Sequence, residues 1–295
     1  MKANRGTQIA TYVGALLLAL FILAPLVWLF ISSIIPEQAI LEFPPGWFSL
    51  GTTSDNYVYI FTGQIPQSHL TSGQWRTMIS QEVRLVPQAI GNSLIVATGV
   101  MIINLVAGSL AAYAYARLHF PGRRVTFFFI TLSRLIPPVA LAVPYYAVVQ
   151  KLGLLDTYWA LIAVYSVLTL PFSVLILTLY FRGIPPEIEE AAEIDGCGPF
   201  QTLWRVTLPL ALPSLIGTGL FAFMLSYSEF LFALLITTSI KTRTLPVILG
   251  SVSWNPDVTW SLLSASIVLG LIPTFILVVP VWRYMVKGLA TGASR

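Results

Sequence analysis

Residues 190–209 read EAAEIDGCGPFQTLWRVTLP and form a polar island between two apolar runs, 158–181 and 212–237. Pro185 and Pro186 open it, at a first helical turn where proline's missing N–H leaves nothing unsatisfied. Glu187, Glu189 and Glu190 follow in or near that turn, where the helix dipole favours anions. Gly196 and Gly198 suit the left-handed conformation that ends a helix. Pro199 restarts a second helix, Phe200 to Thr207, and Leu208-Pro209 turns the chain back into its next apolar run. The spacing predicts a helix–turn–helix knob, with carboxylates on one helix and Phe200, Leu203 and Trp204 exposed on the other. A segment lying flat on lipid is rich in Lys and Arg on its polar face. This one carries Glu187, Glu189, Glu190, Glu193 and Asp195 against Arg205 alone. Anionic headgroups repel such a segment, so the island reads as a handle for another protein rather than as a catalytic site.

The surroundings are those of a membrane protein. The chain is 56% hydrophobic and 9% charged, whereas soluble domains carry about 25% charged residues. A span needs about 20 apolar residues, and six stretches qualify: about 9–35, 92–115, 125–149, 158–181, 212–237 and 261–282. The expected fold is therefore all-α, a single transmembrane domain over 1–295, with an external loop at 36–88 and an inside loop at 184–210 between spans 4 and 5. The first apolar run exceeds the h-region of a signal peptide and no Ala-x-Ala site follows it, so it reads as a retained span. Lys and Arg set the orientation. Lys2, Arg5, Arg117, Arg123, Arg124, Arg182, Arg205, Arg283, Lys287 and Arg295 fall inside, against Arg76, Arg84, Lys151, Lys241 and Arg243 outside, when both termini are cytoplasmic. The net charge of +4 is then a topology signal, and no clustered basic face points to nucleic acid.

Other classes lack their residues. No Gly-x4-Gly-Lys-Ser/Thr phosphate loop occurs, so the chain is not expected to hydrolyse ATP. His69 and His119, the two histidines, fall on opposite sides of the membrane, which disfavours an intramembrane hydrolase or a metal centre. Cys197 is the single cysteine and reads as a small filler between glycines. Pro44-Pro45-Gly46 predicts an ordered turn opening the external loop, and a short surface helix is predicted about Trp75–Val86. Asn92-Ser93 suits a helix N-cap. Small residues in Ala111–Ala116 allow close helix approach in lipid. Pro137, Pro138, Pro144 and Pro171 predict kinks within spans 3 and 4.

Glu190-Ala191-Ala192, then Gly196, then Leu208-Pro209 resembles the EAA loop of ABC importer permeases, with Val206 where that family has Ile. The resemblance extends along most of the chain. Asn92-Ser93-Leu94, Ala112–Arg117, Pro137-Pro138 followed by Pro144-Tyr145-Tyr146, Leu170-Pro171, Ile184-Pro185, Thr244-Leu245-Pro246 and Gly288–Ala293 look like the sugar-importer permeases related to the smaller maltose-transporter subunit. Membership implies six spans in a bacterial or archaeal inner membrane. It also implies a second homologous permease, two cytoplasmic ATPase subunits and an extracytoplasmic solute-binding protein as partners. ATP and Mg would be bound by the ATPase, with no cofactor in this chain. By resemblance, Glu190 makes the polar contact to the ATPase, Ala191 and Ala192 pack, and Gly196 permits close approach; Asp195, Phe200, Leu208 and Pro209 complete that interface. The tail from Gly292 to Arg295 resembles one that can also reach the ATPase.

Charges and aromatics within the spans are the candidate pathway residues. Arg134 lies in span 3, and an intramembrane ionisable residue faces the protein interior or a wet cavity by default. It could bind a polar solute, pair with Glu229, or snorkel to the inner interface. Tyr227-Ser228-Glu229 stands where the family often has Trp-Asn before an acid, a region that can line the pathway. Tyr145, Tyr146 and Tyr165 could stack on sugar rings or serve as packing aromatics. The rival function is a self-sufficient carrier or channel. Carriers usually show repeated halves with matched broken helices, and the sequence displays neither.

Overall fold

The computed structural model describes residues 5–42, 51–64, 81–254 and 259–292. The predicted Pro44-Pro45-Gly46 turn, the first half (75–80) of the predicted Trp75–Val86 helix and the tail beyond Gly292 lie outside them, while 81–85 form a 3-10 turn that runs into a long helix starting at Val86. All regular structure among the described residues is helical. In order come α1 (Arg5–Ile34), α2 (Glu37–Leu41), α3 (Asp55–Thr62), a 3-10 turn at Gln81–Leu85, α4 (Val86–Arg117), α5 (Arg123–Leu132), α6 (Pro138–Lys151), α7 (Tyr158–Arg182), α8 (Pro186–Ile194), α9 (Pro199–Thr202), α10 (Leu208–Leu210), α11 (Leu212–Tyr227), α12 (Leu231–Ile236), α13 (Leu245–Ser253) and α14 (Trp260–Gly292).

Four described helices are long and apolar enough to cross a membrane: Gly6–Ile34, Gln81–Arg117, Tyr158–Arg182 and Trp260–Val281. Two bent pairs raise the number to six if each is one span. They are Arg123–Leu135 with Pro138–Lys151, bent by 103°, and Pro199–Leu210 with Leu212–Tyr227, bent by 83°. The first break falls where Pro137 and Pro138 predict a kink, whereas the second lies just past the turn expected at Leu208-Pro209. The first break has a local cause. A proline disfavours helical geometry at the residue before it, and Ile136 and Pro137 are extended, with ψ of 121° and 130°. The expected span over 212–237 is interrupted at Ser228–Phe230, between α11 and α12.

The chain forms two compact units. One comprises Met1–Pro87 with Ile248–Ile272, the other Gln88–Val247 with Pro273–Arg295. In the first, Asn56 Nδ2 donates to Ser33 O at 3.0 Å, and Tyr57 shares a 2.7 Å hydroxyl contact with Ser33. The Glu37 carboxylate accepts from Trp260 N and Ser261 N, at 3.0 and 2.7 Å. It thereby satisfies orphan donors at the start of α14 and complements the dipole there. The apolar surface of α1, including Leu16, Leu17 and Phe21, is exposed along its length.

The second unit centres on α7. Asn104 of α4, fully buried, donates to Thr169 Oγ1 at 2.8 Å and accepts from Ser173 Oγ at 2.7 Å. Such interhelical bonds hold helices together where the hydrophobic effect has little purchase. Phe172 of α7 stacks on Phe221 of α11 with centroids 4.1 Å apart.

Asn92 and Ser93 are not an N-cap, because α4 begins at Val86. Asn92 Nδ2 instead donates to Lys241 O and Arg243 O at 2.9 and 2.8 Å, and Ser93 Oγ accepts from Leu245 N at 2.9 Å. Asp156 holds the same loop, taking Thr238 N and Ser239 N at 3.0 Å each and the Thr242 hydroxyl on one carboxylate oxygen. Its backbone is in the left-handed region at φ 61°, a conformation Asp tolerates better than most residues.

Candidate functional site

The 190–209 island folds as two short helices joined by a glycine turn. α8 starts at Pro186, with Pro185 extended before it. It ends in a Schellman motif, in which Gly196 N bonds Glu193 O at 3.0 Å and Cys197 N bonds Ala192 O at 2.9 Å. Gly196 has φ +86° there, which strains an L side chain. Gly198, by contrast, is extended (φ −76°, ψ 167°) and serves as the N-cap of α9. Its N–H reaches Gln201 Oε1 at 3.4 Å. The second helix does not run on uniformly, since Leu203–Thr207 form a wide π-type turn before α10. The chain turns at Ala211, where α11 departs, rather than at Leu208-Pro209.

One carboxylate of the acidic run is withdrawn from the surface. Glu189 is buried and bonds Arg117 Nε at 2.9 Å through Oε2, while Thr207 Oγ1 donates to Oε1 at 2.9 Å. Arg117 also donates to Ile184 O at 2.8 Å. The C-terminal end of α4, the entry to α8 and the π-type turn therefore meet at one ion pair. Removing one partner of such a pair strands a buried charge and costs about 3–5 kcal/mol. The sequence reading counted Glu189 among the exposed acids. A signal was available: Glu189 and Ala192 are three residues apart and share a helix face, and both are buried.

Glu187, Glu190, Ala191, Glu193, Asp195, Gly196 and Pro209 are exposed, and Leu208 is half-buried. Ile194, Phe200 and Trp204 add exposed apolar surface, 88%, 64% and 50% accessible. Leu203, expected on that surface, is buried against α4 and α7 residues instead. Ala192 is likewise buried within the chain. The knob thus offers carboxylates and large apolar side chains side by side on a base fixed by Arg117.

The pathway candidates do not form one cluster. Arg134 sits at the bend between α5 and α6, exposed, and donates to Leu168 O at 2.8 Å with its guanidinium 5.8 Å from the Phe172 ring. No ion pair joins Arg134 to Glu229. Both Glu229 oxygens accept from Phe232 N, at 3.1 and 3.2 Å, and Oε2 also takes Ala233 N at 3.2 Å. Glu229 therefore caps α12, as a carboxylate at a helix start should. Tyr227 is buried and stacked on Phe223 at 5.6 Å, and Tyr165 is buried in the core. Tyr145 lies 5.8 Å from Phe232 and is half-buried, as is Tyr146, while Ser228 is exposed.

A long apolar helical chain carrying this acidic knob is a membrane permease subunit, and the comparisons with known proteins say of which kind. Residues 104–287 match the family described as the binding-protein-dependent transport system inner membrane component. The trehalose/maltose transport system permease protein MalG of Thermococcus litoralis is 32% identical over 98% of this chain and 97% of its own length. The trehalose transport system permease protein SugB of Mycobacterium tuberculosis is 32% identical over 98% and 99%, and the sulfoquinovosyl glycerol transport system permease protein SmoH of Agrobacterium fabrum 32% over 96% and 93%. A solved bacterial ABC transporter involved in import of the acidic polysaccharide alginate shares the fold, with a TM-score of 0.70 at 23% identity over 96% of this chain and 98% of that one. The chain belongs to the binding-protein-dependent transport system inner membrane component family.

Proposed function

We propose that this chain is a permease subunit of an ATP-driven ABC importer for a sugar, polyol or related polar solute, and that the knob at 184–210 is its cytoplasmic coupling element. The observation that carries the coupling role is the rigid base under the knob. Arg117–Glu189 ties it to α4, so force applied at the exposed Glu190, Ala191, Gly196 and Phe200 reaches a spanning helix. The solute class is supported by relatives whose names specify trehalose, maltose and sulfoquinovosyl glycerol. The whole assembly would pair this permease domain with a second permease, two ATPase subunits that bind ATP and Mg, and an extracytoplasmic solute-binding protein, with both termini of this chain cytoplasmic. Arg134, Tyr145, Tyr146 and Ser228 keep accessible surface for a solute, whereas Tyr227 and Glu229 serve packing and capping.

Extraction in mild detergent, with co-purifying subunits identified by mass spectrometry, tests the reading. An ATPase and a second permease accompany the wild-type chain, and Glu190→Lys or Gly196→Asp loses the ATPase and abolishes uptake while still inserting. An ATPase-free preparation that moves solute in liposomes identifies a carrier or channel instead and overturns the proposal.

A further inference from the structure

Where α4 ends, α5 begins and α7 ends, the second unit forms an open cleft of about 840 Å³. Its walls include His119, Arg123, Arg124 and Arg182 with the rings of Phe127 and Phe128, and no carboxylate lines it. None of these arginines forms an ion pair among the described residues. Arg123 and Arg182 donate to the same neutral acceptor, Tyr115 O, at 2.6 and 3.2 Å. Two guanidinium groups thus converge without a counter-charge, each with further N–H donors left over. Their repulsion is relieved only in part, by the Phe127 ring 5.4 Å from Arg182. The first turn of α5 lies in the same wall and has no side-chain cap. Its free N–H groups add to the positive field.

We propose that this cleft binds the phosphate headgroup of an anionic phospholipid. Phosphate matches the forked guanidinium geometry and takes several N–H donors at once. The lipid rather than a soluble anion is indicated by what adjoins the charges. Val125, Phe128 and Phe129 of α5 are 58%, 60% and 61% exposed, so an apolar helical surface leads directly away from the basic cluster. A phospholipid carries its phosphate and its acyl chains in that same order, whereas a soluble acidic partner leaves the apolar face uncovered. Basic pockets between helices on the cytoplasmic side bind anionic headgroups in this way. The inner-leaflet placement rests on the orientation proposed above, while the phosphate chemistry does not. Because Arg117, which anchors the knob, ends the same α4 helix, the occupied site would stiffen the base of the coupling element.

The test uses the full-length chain, extracted with its accompanying subunits, delipidated, and titrated with phosphatidylglycerol or phosphatidylcholine of matched chains while bound lipid is counted by native mass spectrometry. The wild type retains phosphatidylglycerol in preference. Arg123→Gln/Arg182→Gln weakens it roughly twentyfold to thirtyfold, each charge being worth about fivefold, and leaves phosphatidylcholine unchanged. Lys151→Gln, at the far end of α6, has no effect. If the double variant aggregates, Arg124→Gln decides, since that side chain is exposed and makes no hydrogen bond among the described residues; it loses about fivefold. Equal retention of the two lipids, or full phosphatidylglycerol binding in the variants, overturns the site. Displacement of phosphatidylglycerol by millimolar inorganic phosphate assigns it to a free anion and overturns the lipid.

Discussion

At the two ends of α7 the chain uses carboxylates in opposite ways. Before the helix, half-buried Asp156 spends its charge on Thr238 N, Ser239 N and the Thr242 hydroxyl. After it, the knob buries Glu189 against Arg117 and leaves Glu187, Glu190 and Glu193 in solvent. A carboxylate satisfied by its own chain is a structural part. One left outside, beside exposed Ile194, Phe200 and Trp204, is the surface on which the proposed coupling role depends, because such apolar surface gains by being covered. Neighbours in sequence, Glu189 and Glu190, therefore belong to different categories.

The sharpest way to break this contrast is to substitute those two neighbours. Glu189→Gln leaves half-buried Arg117 without its counter-charge and should cost about 3 kcal/mol, the low end for a buried pair, read as a fall in Tm in detergent. Glu190→Lys should leave Tm unchanged while uptake is lost; equal Tm losses in the two variants would erase the distinction. Next in size comes the other end of α7. Burial opposes ionisation of Asp156, but the hydrogen bonds from Ser239, Thr242 and Thr238 outweigh it and hold its pKa at about 2, down from 3.8. A depressed pKa contributes stability above the unfolded value, and that contribution fades as pH falls from about 4 through about 2. The half-buried carboxyl keeps contact with solvent, so its worth is screened to on the order of 1 kcal/mol. Asp156→Asn should abolish this acid-range slope, and an unchanged slope would mean that the 236–245 loop is held by Asn92, Ser93, the Tyr158 hydroxyl and the Asp156 backbone N–H without the carboxylate.

Gly196→Ala isolates the turn. An added Cβ meets nothing within 4 Å, so the cost is conformational, about 1 kcal/mol, and a loss of several kcal/mol would reveal a close approach that the free chain lacks. The smallest effect belongs to Arg134. Removing its bond to Leu168 O and its position near Phe172 should cost about 1 kcal/mol or less. Arg134→Ala that also alters substrate preference would place it on the pathway, whereas a purely structural residue would leave the preference intact.

The helical content, the apolar runs and the knob with its glycine turn were legible because each depends on local free energies. Twenty apolar residues partition into lipid wherever they stand in a chain, proline blocks helix geometry next to itself, and glycine alone enters the left-handed turn without cost. The breaks were legible only in part. Pro137-Pro138 announced the first, but the interruption at Ser228–Phe230 depends on Glu229 folding back onto Phe232 and Ala233, which a candidate pathway acid did not suggest. Asn92-Ser93 has the composition of a cap and acts instead on a loop some 150 residues away. What the sequence determined by itself was the membrane class and the existence of an acidic helix–turn–helix knob. Only the tertiary structure decided which carboxylate is a buried latch and which stays exposed, because that choice belongs to Arg117, 72 residues from Glu189 along the chain, and burial is a property of neighbours in space.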